Sequence, residues 1–216
     1  LNWSVEQFRE YFNKIYDAAE NLMWNGNFYS WIVGRDGTVI DTNAATDADQ
    51  DITIALIFAD RLVRNGYWTG HNSPVTGQSY AQKARTLINN IYSLEVESGR
   101  YLKPGDAWGG QSAISPSYFA PAYYRIFDEF EDTHHDWTSV IDQCYTTLQA
   151  VQPGGSDGYN YGLSPDWCTA AGGIASGVPA SGPNGNGYDM WYDAIRTPWR
   201  IGLDYIWFGE TRAQTY

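Results

Sequence analysis

Two short stretches place carboxylates beside aromatic side chains: Ala45-Thr46-Asp47-Ala48-Asp49-Gln50-Asp51-Ile52 and, far downstream, Tyr192-Asp193-Ala194-Ile195-Arg196. Acetal chemistry uses that combination. Breaking a glycosidic bond passes through an oxocarbenium-like state. It takes one acid for the leaving oxygen, one base for water, and flat apolar surfaces to hold the sugar rings.

On a helix start, Asp47 and Asp51 share a face while Asp49 points elsewhere, so the three acids cannot do one job. A calcium loop is excluded, because Ile52 stands where glycine is wanted and Phe58 where a bidentate glutamate is wanted. An acid-rich first turn stabilised by the helix dipole accounts for the segment equally well. Asp193 precedes Arg196 by three residues, near enough on a helical turn for the guanidinium to keep the carboxylate ionised and oriented as a base. An ordinary surface ion pair has the same spacing, and it is the neighbours Trp191 and Tyr192 that favour a ligand site.

Trp31, Trp108, Tyr118, Tyr192 and Trp199 each fit a core position. Trp108 differs, because Gly105-Asp106-Ala107-Trp108-Gly109-Gly110 reads as a loop, where a large ring has only a ligand or a neighbouring loop to pack on. His71, His134 and His135 stand at no ligand or triad spacing and are read as surface residues, so no metal, no cofactor and no serine-hydrolase mechanism is expected. Cys144 and Cys168 form one bridge or two buried thiols, and thiols are preferred.

Composition narrows the partners. Aromatic residues make up 16% of the 216 residues, with 10 Trp and 17 Tyr, more than a core requires. The formal charge of −12 and a pI near 4.4 oppose phosphate backbones and anionic membranes, so neither nucleic acid nor membrane is an expected partner. No apolar run approaches the roughly 20 residues of a membrane span, and Leu1-Asn2-Trp3-Ser4 is not a signal peptide. One domain, residues 1–216, is expected.

The elements that must position these residues read as helices. Phe8, Phe12, Ile15, Tyr16, Ala19 and Leu22 form the stripe of a first helix, Ser4–Trp24, lying on a core. Phe28–Val33 could be extended, ending at the Arg35-Asp36-Gly37 turn. Thr46 caps a second helix to about Asn65, carried on by Ala55, Phe58, Ala59 and Leu62. A third spans Ser79–Leu94. A fourth opens at Ser115-Pro116 and carries Phe119, Ala122, Tyr123, Ile126 and Phe130. A fifth covers Trp137–Val151, a long loop Gln152–Gly187, and a sixth helix Asp193–Phe208. The class is all-α.

In order and spacing, five segments resemble glycoside hydrolase family 8, nearest to its bacterial endo-β-1,4-glucanases. They are Ala45–Ile52, Lys103–Gly110, Pro116–Pro121, Pro165-Asp166-Trp167-Cys168 and Tyr192–Arg196. The resemblance implies an inverting, secreted hydrolase built as an (α/α)6 barrel, of which these residues would form about half to two-thirds of the ring. It also implies Asp193 as base, Arg196 as its orienting partner, and Asp47 as the carboxylate gripping the distorted sugar. Trp31, Trp108, Tyr118 and Tyr192 match sugar subsites, so the implied partner is a β-1,4-glucan, with xylan as the alternative. The family's general acid, a glutamate in a Ser-Glu-Gly segment, has no counterpart here, and Glu6 and Glu10 fall on the wrong element to inherit its role. Six helices against the family's twelve imply a missing segment, or a homodimer, completing the barrel; the alternative is a carbohydrate-binding fragment without hydrolysis.

Overall fold

The Ser4 hydroxyl accepts the Gln7 backbone N–H while the Gln7 side chain accepts that of Ser4, and this reciprocal cap starts helix α1, Val5–Met23. The computed structural model describes residues 4–151 and 163–216, which divide into two compact units. One is built on the residues up to Ile91 with Phe130–Asp132, the other on Tyr92–Glu129 and Thr133–Tyr216.

In the first unit α1 buries only Tyr16 and Glu20, whereas Phe8, Ile15 and Leu22 are 56%, 71% and 49% exposed. The expected apolar stripe is therefore inward only in part: Tyr16 is buried and Phe12 packs on Trp68 and Tyr80, while Phe8, Ile15 and Leu22 stay open. The inward face is the one that carries Glu20, whose carboxylate is anchored by Lys83 Nζ at 2.8 Å and by the hydroxyls of Tyr29 and Ser73. Lys83 also sits 3.0 Å above the Trp24 ring. Ile32–Val33 (β1) pairs antiparallel with Val39–Asp41 (β2) across the Arg35-Asp36-Gly37 turn.

Helix α2, Thr46–Arg64, begins at Thr46 rather than being capped by it. Ala45 holds the cap position in extended geometry, its carbonyl accepting the Ala48 and Asp49 N–H groups, while Thr46 is buried as the first helical residue. Its inward side includes Thr53, Ile54, Leu56, Ile57 and Ala59; of the expected stripe Ala59 is buried, Ala55 and Leu62 are half-buried, and Phe58 is 41% exposed. Helix α3, Tyr80–Leu94, buries Ala84, Leu87, Ile88 and Ile91 completely, as its periodicity predicts.

In the second unit a tight turn with positive φ at Ser98 and Gly99 joins Val96–Glu97 (β3) to Tyr101–Leu102 (β4). The expected fourth helix is split. Ser115-Pro116 opens only a 3₁₀ turn, Pro116–Tyr118, and helix α4 runs Pro121–Phe130. Pro121 is the reason, since it offers no N–H and keeps the residue before it out of helical geometry. Asp136 caps helix α5, Trp137–Ala150, by accepting the Ser139 N–H. The sixth helix starts later than expected: a 3₁₀ turn, Ala194–Arg196, precedes α6, Thr197–Phe208, and a short α7, Thr211–Thr215, follows.

A buried carboxylate ties these helices together. Asp204 of α6, fully buried, accepts Arg125 Nε of α4 at 2.7 Å and the Tyr145 hydroxyl of α5 at 2.7 Å. Arg125 also reaches Glu210, which pairs in turn with Arg212. Of the long loop expected over Gln152–Gly187, residues 152–162 lie outside the described residues, and 163–187 contain neither helix nor named strand. The all-α class holds, with two small hairpins added.

Candidate active site

Asp193 lies at the entrance to the 3₁₀ turn that precedes α6, so its side chain leaves the chain where the loop becomes helix. Arg196, one turn on, places Nη2 2.6 Å from Asp193 Oδ1, and both side chains are about one-third exposed. The pair is thus neither buried nor fully solvated, and a second contact fixes it: the same nitrogen is 3.4 Å from Ser117 Oγ, and the guanidinium lies 5.2 Å above the Tyr118 ring. Arg196 is thus held on two sides, by Asp193 and by the Ser117–Tyr118 segment.

Aromatic rings continue from this point. Tyr118 meets Trp167 edge-on at 6.0 Å, and Trp167 meets Trp108 at 5.3 Å. Asp193, Arg196, Tyr118 and Trp108 are therefore joined by a continuous chain of contacts whose missing link from sequence was the buried Trp167. On the other side Tyr192, 82% exposed, stands edge-on to Trp191, and with Met190 and Ile195 these rings line an open depression of about 440 Å³.

Loop-to-loop backbone pairing builds the site. Ile114 and Cys168 exchange N–H···O bonds of 2.7 and 2.9 Å, joining the segment of Ser117 and Tyr118 to that of Asp166 and Trp167. Asp166 and Trp167 donate in turn to the carbonyls of Asp189 and Gly187, each at 2.9 Å. Gly187, at φ +74°, lies against Trp167, and a Cβ there would come within 2.7 Å of the indole. Ser164 Oγ donates to Thr197 Oγ1 at 3.0 Å, fastening the loop to the first residue of α6.

The remaining expected site residues belong to the first unit. Asp47 is half-buried in the first turn of α2, and Asp49, beside it in sequence, is 1% exposed, which confirms that the acids point to different places. Trp31 is 53% exposed. Its N–H groups locate it: the backbone one donates to Asn43 O at 3.0 Å, and the ring one helps hold the Asp41 carboxyl below its usual value, second to the Asn43 amide.

The reading of all three histidines as surface residues is corrected for two of them. His71 is half-buried, bonded through Nε2 to Asp17 at 2.7 Å and flanked by Tyr16 and Tyr80. His135 stacks on Tyr92 at 4.3 Å, and only His134 is well exposed. Both cysteines are free, buried thiols. No group of three or more metal-ligating side chains occurs among the described residues.

The family described as glycosyl hydrolases family 8 matches residues 5–216. Endoglucanase A of Acetivibrio thermocellus is 46% identical over 200 residues, which cover 88% of this chain and 37% of that protein. Endoglucanase 2 of Ruminiclostridium josui is 40% identical over 212 residues, covering 96% of this chain and 41% of the relative. The chain thus spans about two-fifths of the length of these curated relatives. Among solved structures, Rex8A from Paenibacillus barcinonensis complexed with xylose superposes with a TM-score of 0.74 at 21% identity, covering 95% of this chain and 53% of that one. At that identity the likeness bears on the fold alone, and this chain carries part of the fold, an (α/α)6 barrel.

Proposed function

The chain belongs to glycosyl hydrolases family 8, and on that premise we propose that the complete protein cleaves a β-1,4-linked glucan internally, with inversion at the anomeric carbon. Asp193 removes a proton from water on the face opposite the leaving group. A carboxylic acid outside this sequence protonates the glycosidic oxygen, the two carboxyls standing roughly 6.5–9.5 Å apart to admit that water. Arg196 keeps Asp193 ionised and aimed. Asp47 favours the bent sugar ring and the positive charge that develops on it, and Trp31, Trp108, Tyr118 and Tyr192 hold neighbouring sugars.

The observation that carries this reading is the 2.6 Å contact between Asp193 and an Arg196 that is itself braced on Ser117 and Tyr118, next to a run of rings. The two endoglucanases support glucan over xylan as substrate. A polymer too large to enter a cell is met outside it, so secretion belongs to the same proposal. The open apolar side chains of α1 in the first unit and, taken separately, of Tyr205, Ile206 and Phe208 on α6 in the second support further partner contacts, supplied by more of the polypeptide or by a second copy. Asp193→Asn in the complete protein is expected to abolish release of reducing ends from β-glucan while leaving cello-oligosaccharide affinity within about threefold. Retained turnover removes Asp193 from the base role.

A second reading rests on the lack of a Ser-Glu-Gly tripeptide in the chain: these 216 residues alone bind sugar without cleaving it. Titration with cello-oligosaccharides beside a reducing-end assay of the isolated chain separates the two.

A further inference from the structure

The carboxylate of Asp166 is completely buried, and a single oxygen, Oδ1, accepts two backbone N–H groups, those of Trp191 at 3.1 Å and Ala194 at 2.8 Å. These amides bracket Tyr192-Asp193. Asp166 is itself fixed, because its own N–H donates to Asp189 O and the next residue, Trp167, is locked by Gly187. Its other oxygen, Oδ2, is buried with no hydrogen-bond partner among the described residues.

From this arrangement we infer that Asp166 is a positioning residue for the reaction: its carboxylate pins the loop on both sides of Asp193 and so sets where the base points. The inference rests on the reading of Asp193 as base. One oxygen accepts from both sides of Tyr192-Asp193, and the Ala194 amide is the first of the 3₁₀ turn that carries Arg196. The contact therefore orients both members of the Asp193–Arg196 pair. Asp166 does not line the depression beside Tyr192, and its Oδ1 meets backbone amides, so it acts through the backbone. A displacement of about 1 Å at a reacting group can cost on the order of 10²-fold in rate, which is the size of effect such a brace protects.

The test compares Asp166→Ala, Asp166→Asn and Asp193→Asn in the complete protein. Alanine leaves both amides without their acceptor, and kcat is expected to fall about 100-fold with KM nearly unchanged, while amide hydrogen exchange over residues 190–196 speeds up at least tenfold. Asparagine keeps an oxygen at the Oδ1 position and alters only the atom that has no partner. It is expected to restore kcat to within about fivefold, slow exchange again, and leave the pH profile in place. Should the alanine variant not fold, Asp166→Ser, which withdraws the acceptor but keeps a polar group in the pocket, is read in its stead with the same expectations. The inference is overturned if the truncated variant keeps kcat within threefold and exchange unchanged, or if asparagine is as impaired as alanine. Turnover by Asp193→Asn would instead refute the base assignment, and the exchange data would still report on the brace.

Discussion

Replacing Lys83 by methionine isolates the energetics of the buried charge cluster in the first unit. Lys83 and Glu20 are both 0% exposed in their side chains, 2.8 Å apart, and Lys83 also lies on the Trp24 ring. Burial is the leading cause lowering the Lys83 pKa, ahead of the Glu20 contact that raises it, so the pair does not fully offset the cost of taking the ammonium out of water. Two consequences differ in size. Removing the lysine alone strands a buried carboxylate with only two hydroxyl donors, and breaking such a pair costs about 3–5 kcal/mol. Removing both charges, as Glu20→Gln with Lys83→Met, keeps a carbonyl oxygen for one of the two hydroxyls, which donate to different carboxylate oxygens, and fills the stem volume, so the double variant should lie within about 1–2 kcal/mol of the parent. The double variant should then be about 2–3 kcal/mol more stable than Lys83→Met alone. Urea unfolding of the parent, both single variants and the double, followed by tryptophan fluorescence, measures it. A Lys83→Met variant within 1 kcal/mol of the parent, or a double variant no more stable than that single, would refute the reasoning.

The other expectations concern chemistry and pH. NMR of the first product released from β-glucan by the complete protein should show the α anomer, and a β product excludes inversion. Glu210, held by Arg212 and Arg125, has its carboxyl pulled down from an ordinary 4.5 to about 2. Its stabilisation is therefore complete above pH 4.5 and is lost as pH falls towards 2, and Glu210→Gln should flatten the acid limb of a melting-temperature profile in that window. Burial pushes the Cys168 thiol up to about 12 and raises Cys144 as well, so iodoacetamide at pH 8 should label neither cysteine in the folded chain and both in urea; rapid native labelling by mass spectrometry would contradict it.

Most of the helical framework was legible because α3, α4 and α5 bury the apolar period their sequences display. Where the reading slipped, a non-local polar contact had overridden local pattern. The stripe of α1 names Phe8, Ile15 and Leu22, but the helix turns Glu20 inward because Lys83, Tyr29 and Ser73 wait for it, and those partners are 9 to 63 residues away. Thr46 has the right side chain for a cap, yet its position is already helical. The two 3₁₀ turns follow another rule: Pro121 and Pro198 delay the helices that Ser115 and Asp193 were expected to open.

The site divides along the same line. Asp193 and Arg196 are found from spacing, since three residues suffice to bring their side chains together whether the turn is α or 3₁₀. Trp167 and Asp166 were visible only as parts of a resembling segment. Their roles depend on Gly187, Asp189, Trp191 and Ala194, and no periodicity links residues 20 to 28 positions apart across a loop. A buried carboxylate with backbone donors leaves no local signature, unlike a capping box or an i,i+3 ion pair. In a site assembled from loops, then, the groups that would touch substrate are the easier ones to name from sequence. Those that aim them are recognised only when the pairing of loop backbones is seen, and Asp166, accepting from both sides of Asp193, is the clearest case.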